Sequence, residues 1–124
     1  MFQVASYRTL QDGEVIFREG DNGDWLYVVM DGEVVISKMM GGRTVVIDVI
    51  GPGEIFGELA YIDKRPRSAS ATARGTTEIG IVDREFFDRE FNKLSSDFQK
   101  MLKIIAQRIR KTTGRLLETL AKEG

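Results

Sequence analysis

The segment Trp25–Ile50, WLYVVMDGEVVISKMMGGRTVVIDVI, reads as a series of strands punctuated by glycine-containing dipeptides. Trp25 to Met30 is rich in aromatic and β-branched residues, which suit a pleated, half-buried surface. Asp31-Gly32 separates it from Glu33 to Met39 and is the strongest short-range hairpin signal in the chain. Gly41-Gly42 marks a second hairpin tip before Arg43 to Ile50. Hairpins in succession build an antiparallel sheet.

Working outward, the same grammar extends from Val4 to Asp83. Glu14-Val15-Ile16-Phe17 is a short strand closed by the dense turn cluster Glu19 to Asp24. Gly51-Pro52-Gly53 interrupts the chain after Ile50, and Ser70 to Ala73 and Thr77 to Val82 read as two more strands with Gly75 between them. Eight or so short strands, each followed by a turn, favour a sandwich or small barrel. The lone Trp25, at a strand start, reads as core. There is no internal repeat.

The pattern changes at Asp83. That residue is the expected N-cap of a helix whose first turn is acidic and whose buried stripe is Phe86, Phe87 and Phe91. Ser95-Ser96-Asp97 then caps a longer helix running to about Ala121. Its positions Phe98, Leu102, Ile105, Ile109, Thr112, Leu116 and Thr119 alternate at spacings of four and three, the 3.5-residue average of a coiled-coil seam. A helix of about 25 residues is a rod of roughly 38 Å, too long for so small a barrel to cover. Its far half should want a partner; the alternative is a helix packed wholly on its own domain.

At 124 residues the chain is long enough for one domain with a real core. Eighteen basic residues against 19 acidic ones give a net charge of −1, with no global pull toward nucleic acid. The chain has neither Cys nor His, so thiol chemistry, disulfides, the usual zinc sites and histidine acid–base catalysis are excluded. No metal site and no catalytic residue is expected, and no enzyme activity. No apolar run approaches the length of a membrane span and the N-terminus lacks a signal-peptide layout, so a cytoplasmic protein without membrane contact is the expectation.

The segment Phe56–Ala73, FGELAYIDKRPRSASATA, carries the chemistry. Gly57 opens a short helical run, Glu58 follows at once, and Arg67 returns nine residues after that carboxylate. Helix N-termini present unpaired N–H groups and a positive dipole end, which suits an anion. Arg67 adds a planar, permanently charged fork that matches phosphate oxygens. A carboxylate beside a phosphate is repelled by it, unless it accepts hydrogen bonds from sugar hydroxyls attached to that phosphate. Phosphate plus sugar hydroxyl points to a nucleotide.

Gly57-Glu58-Leu59-Ala60 through Pro66-Arg67-Ser68-Ala69 resembles the phosphate-binding cassette of the cyclic nucleotide-binding domain family, in both its catabolite activator and its cAMP-dependent kinase regulatory branches. Val15 to Asp21 resembles the family's early strand and turn, and Tyr27 to Val34 its central hairpin. The resemblance implies one domain over residues 1–124. It would comprise an antiparallel β-roll (a jelly-roll-like double-stranded β-helix) over 1–83 with the cassette at 56–71, and a helical lid and dimerisation helix over 84–122. It implies that Gly57, Glu58, Leu59 and Ala60 turn backbone amides to the cyclic phosphate, with Glu58 accepting the ribose 2′-hydroxyl. Arg67 would pair the phosphate, Ser68 and the Ala69 amide would bond its oxygens, and Phe56 would pack on the ligand. On the long helix, Thr112 and Thr113 would meet the adenine amine, one from each subunit of a homodimer, with Arg108 one turn earlier. Arg110 and Lys111 are more polar than the family's usual text there.

The expected function is a sensor of cAMP, with cGMP as the alternative ligand, that needs no cofactor and signals by moving its C-terminal helices. Two threonines suit an adenine amine or a guanine carbonyl equally, and Ser70 is a hydroxyl of the kind that favours cGMP in some relatives. Two alternatives stand beside it: the regulatory part of a longer cAMP-responsive transcription factor, and a ligand-free dimerisation scaffold. The text ends soon after the long helix, so no DNA binding is expected from this chain alone.

Overall fold

The computed structural model describes residues 2–123. Six strands form one antiparallel sheet: β1 (Val4–Leu10), β2 (Val15–Phe17), β3 (Tyr27–Met40), β4 (Arg43–Ile50), β5 (Ile55–Phe56) and β6 (Ser70–Val82). Helix α1 (Glu58–Asp63) interrupts the strands, and α2 (Arg84–Asn92) and α3 (Ser96–Glu123) follow them. The path through the sheet is β1-β6-β3-β4, with β2 on β6 and β5 on β3. This is the antiparallel β-roll followed by a long helix that the sequence suggests.

Two expected breaks are not breaks. Asp31-Gly32 is no hairpin tip, and Gly75 does not divide two strands; β3 and β6 run through them as strands of 14 and 13 residues. The backbone angles give the reason. A tight two-residue hairpin needs positive φ at both central residues. Gly41 (58°) and Gly42 (80°) supply that between β3 and β4, whereas at Asp31-Gly32 only Gly32 (86°) does. One left-handed residue makes a bulge instead. Asp31 pairs with Glu78 and Glu33 with Arg74, so Gly32 alone opposes three residues of β6, among them Gly75 at φ 73°. A Cβ on Gly32 would come within 2.7 Å of the Thr76 carbonyl oxygen. The buried Thr77 hydroxyl stitches the corner by donating to the Glu33 carbonyl. Both long strands bend here, and the sheet rolls.

Side-chain alternation along β3 divides the core. Tyr27, Val29 and Val34 join Leu10, Phe56 and Ile79 inside the roll, while Leu26 and Val28 pack outward against Tyr61, Val82 and Phe87. Trp25 is 46% exposed, contrary to its reading as core; the chain turns inward only at Leu26, and the Arg84 guanidinium lies 5.1 Å from the indole.

The helix starts follow their caps. Asp83 accepts from the Phe86 N–H at 3.3 Å, and the Ser95 hydroxyl from the Phe98 N–H at 3.3 Å. Phe86, Phe87 and Phe91 are half-buried, with Phe87 and Phe91 meeting the Tyr61 ring edge-on. On α3 the inward face is Leu102, Ala106, Arg110, Thr113 and Leu117, with Ala106 and Leu117 fully buried. Of the heptad seam only Leu102 turns in; Phe98, Ile105, Ile109 and Leu116 remain about half exposed. Small residues let the helix lie close on α1, and the large apolar ones are left facing out.

Candidate functional site

A cavity of about 470 Å³ opens between the roll and α3. Strands of the roll, α1, α3 and the segment before β6 build it. β5 and the first turn of α1 contribute Phe56, Gly57, Glu58, Leu59 and Ala60; the segment before β6 contributes Arg67, Ser68 and Ala69. β4 supplies an apolar wall that includes Val46 and Ile47, and α3 closes the far side with Thr113, Leu117 and Leu120.

Arg67 is the centre of the charged end. It is 4% exposed, yet no carboxylate lies within ion-pair distance among the described residues. Its guanidinium donates to the Gly57 carbonyl at 3.0 Å and the Trp25 carbonyl at 2.9 Å, and lies 4.1 Å from the Phe17 ring centroid. Burial pulls the guanidinium below its ordinary pKa, with Tyr27, Asp24 and Asp21 acting in the other direction. The backbone is equally fixed: the Arg67 N–H donates to the Asp21 carbonyl and the Arg67 carbonyl accepts from the Gly20 N–H. Gly57 must be glycine on two grounds. Its φ is 84°, and a Cβ there would come within 2.8 Å of Arg67 Nη1.

Glu58 begins α1, where the first N–H groups have no intrahelical acceptor and no side chain caps them. Its carboxylate is half-buried and makes no ion pair among the described residues. Burial pushes the carboxyl above its usual pKa, Asp48 adds to the push, and its own backbone N–H and Arg67 pull back. Among the described residues, one end of the cavity therefore holds a cation without a counter-ion, and beside it sits a carboxylate that meets its own backbone N–H and no cation.

The adjacent threonines of α3 part company. Thr113 lines the cavity, while Thr112 and Arg108 face outward, where they line a shallow cleft with Ile105 and Ile109. The other nominated contacts, Phe56 to Ala60 and Arg67 to Ala69, lie on the main cavity; Ser70, singled out for base preference, does not, and its hydroxyl accepts from the Glu19 N–H.

The cyclic nucleotide-binding domain family model matches residues 7–93, the roll and its cassette through α2. The chain belongs to that family. It is 37% identical over 97 residues to the cAMP-dependent protein kinase regulatory subunit of Dictyostelium discoideum, covering 75% of this chain and 28% of that protein. With the cyclic AMP receptor protein of Thermus thermophilus the identity is 35% over 104 residues, 83% of this chain and 48% of that one. The cAMP-bound structure of the EAL enzyme Bd1971 superposes with a TM-score of 0.81 at 29% identity, over 95% of this chain and 32% of that chain. The chain spans less than half the length of each of these relatives.

Two residues of this cyclic nucleotide-binding domain escaped the sequence reading. Arg110, noted there only for its polarity, pairs with Asp63 through Nε at 2.7 Å and Nη2 at 2.9 Å, and its Nη1 donates to the Pro66 carbonyl at 2.8 Å. The Asp63 side chain is fully buried, so α3 is bolted to the last residue of α1. Lys38 reaches from β3 to the Ser68 carbonyl at 2.7 Å. The signal for Arg110 was its inward phase with Ala106 and Leu117; nothing in the local text marks Lys38. No helix among the described residues is long and apolar enough to cross a membrane.

Proposed function

We propose that this chain is a cAMP sensor that takes the nucleotide into the cavity between roll and α3. The observation that carries this is Arg67: a buried cation with no anionic partner among the described residues, beside a helix start whose first amides have no intrahelical acceptor. Buried charges are ordinarily paired, so the missing partner is an anion brought by a ligand. The cyclic phosphate meets Arg67, the Ser68 hydroxyl and the amides of α1 and Ala69, and the ribose 2′-hydroxyl donates to Glu58. The base extends along the apolar wall toward Thr113. Thr112, facing outward beside Ile109, reaches the base of a partner subunit in a homodimer built on α3. Arg108 lies on that same outward face.

The sensor is proposed to be cytoplasmic, non-catalytic and without DNA contact of its own. It acts either alone or as the regulatory part of a larger protein, as its presence inside longer relatives suggests. A ligand-free scaffold is disfavoured by the cavity itself, which leaves Arg67 and Glu58 without an oppositely charged partner among the described residues. Thermal unfolding with cAMP, cGMP and adenosine tests the assignment. Micromolar-or-better binding of cAMP raises stability by about 2.7 kcal/mol at a hundred times Kd. Adenosine, lacking phosphate, leaves the midpoint unmoved, and cGMP ranks the base preference. No shift with either cyclic nucleotide overturns the proposal.

A further inference from the structure

Lys38 holds the segment that ends the cassette. Its Nζ donates to the Ser68 carbonyl at 2.7 Å and pairs with the Glu19 carboxylate at 3.3 Å. Glu19 is fixed in turn: Oε1 accepts from the Met39 N–H at 3.2 Å, and its own N–H donates to the Ser70 hydroxyl at 2.9 Å. One ion pair thus grips Ser68–Ser70 at both ends. The Ser68–Ala69 peptide is planar and trans, so its carbonyl and N–H point in opposite directions. With the carbonyl turned to Lys38, the N–H turns away. That N–H has no acceptor among the described residues, although Ala69 is only 4% exposed and lines the cavity. Buried N–H groups without partners are rare.

We propose that Lys38 is a positioning residue for the anion end of the site: it locks the Ser68–Ala69 peptide by its carbonyl, so that the Ala69 N–H is presented to a phosphate oxygen beside Arg67. A cationic donor on the carbonyl also polarises the peptide and makes its N–H a stronger donor. The action is indirect, because Glu19 balances the Lys38 charge. The inference rests on the nucleotide assignment above.

The test uses the full chain, labelled with 15N, and cAMP. In wild type, cAMP shifts the Ala69 amide resonance. K38M weakens Kd about tenfold, the scale of a hydrogen bond to a charged group. It also abolishes the Ala69 response, while Glu58 and Thr113 still respond. K38R restores both, since a guanidinium also donates. A K38M protein with wild-type Kd, or with the Ala69 response intact, overturns the proposal. If wild type shows no response to cAMP anywhere, the nucleotide assignment falls instead. Amide relaxation of the free proteins then decides on Lys38: lower order at Ala69 in K38M supports the lock, and equal order refutes it. Should K38M not fold, K38R and E19Q replace it, with affinity near wild type in K38R and at least threefold weaker in E19Q; the reverse order refutes the lock.

Discussion

At the scale of single residues, Arg67 and Glu58 make opposite demands on a ligand. Arg67→Ala removes the buried charge proposed for the anion and leaves a phosphate without its ion pair, so cAMP affinity falls by about 3 kcal/mol, roughly a hundredfold in Kd. Arg67→Lys rescues little, because an ammonium cannot serve two carbonyls, a phosphate and the face of Phe17 at once. Calorimetry reads both, and wild-type affinity in either refutes the role. Glu58 predicts a pH dependence with a definite sign. Its folded pKa lies above the usual value of 4.5, so its contribution to the free domain's stability is present below that value and lost as pH rises through the folded pKa. A ribose hydroxyl donating to it favours the charged form and lowers the pKa in the complex. Affinity for cAMP is therefore full above the free-state pKa and falls on acidification through it. Glu58→Gln raises the melting temperature of the free protein at pH 7 and flattens the acid limb of binding. An acid limb unchanged in that variant excludes Glu58 as the titrating group. Both residues stand out in the sequence as candidates because their pairing is chemical: a charge at a set spacing from a helix start marks a place for an anionic ligand, and both do line the cavity.

At the scale of elements, the roll owes its shape to glycines whose sign of φ no dipeptide reveals. Asp31-Gly32 and Gly41-Gly42 look alike as text; one is a bulge where two strands bend together, the other a true hairpin. The choice was made by what lies opposite, Thr77 and the Thr76 carbonyl, more than 40 residues away. The same non-locality hid Arg110, whose partner Asp63 sits 47 residues earlier on another helix. That pair yields an element-level prediction. Arg110→Met strands a fully buried carboxylate and costs about 3 kcal/mol in urea unfolding. Adding Asp63→Asn removes the stranded charge and recovers most of that loss. Additive losses in the double variant show that the two side chains do not act on each other. Because the bolt joins α3 to α1, the single variant also loosens the lid over the cavity, and cAMP dissociates faster from it.

At the scale of the whole molecule, α3 has two unequal faces. Its inner face is satisfied by Ala106, Leu117 and the Arg110–Asp63 pair. Its outer face leaves Phe98 at 56%, Ile105 at 44%, Ile109 at 46% and Leu116 at 59% exposure, spaced at sevens, fours and sevens along 28 residues. An apolar stripe of that period, half exposed although Ile109 and Leu116 also border the cavity, fits the matching stripe of a second copy with Thr112 at its middle. A homodimer is the expected state, measured by sedimentation across a concentration series. Ile109→Glu sets like charges facing each other across the two-fold axis and yields monomers without unfolding the roll, because Ile109 makes no part of either core cluster. The coupling to ligand follows from Thr112. If it reaches the nucleotide held by the other subunit, cAMP tightens the dimer of wild type and of Thr113→Ala, but not of Thr112→Ala. Equal tightening in the Thr112 variant confines the base to its own subunit, and a wild-type monomer at high concentration removes the dimer from the mechanism altogether.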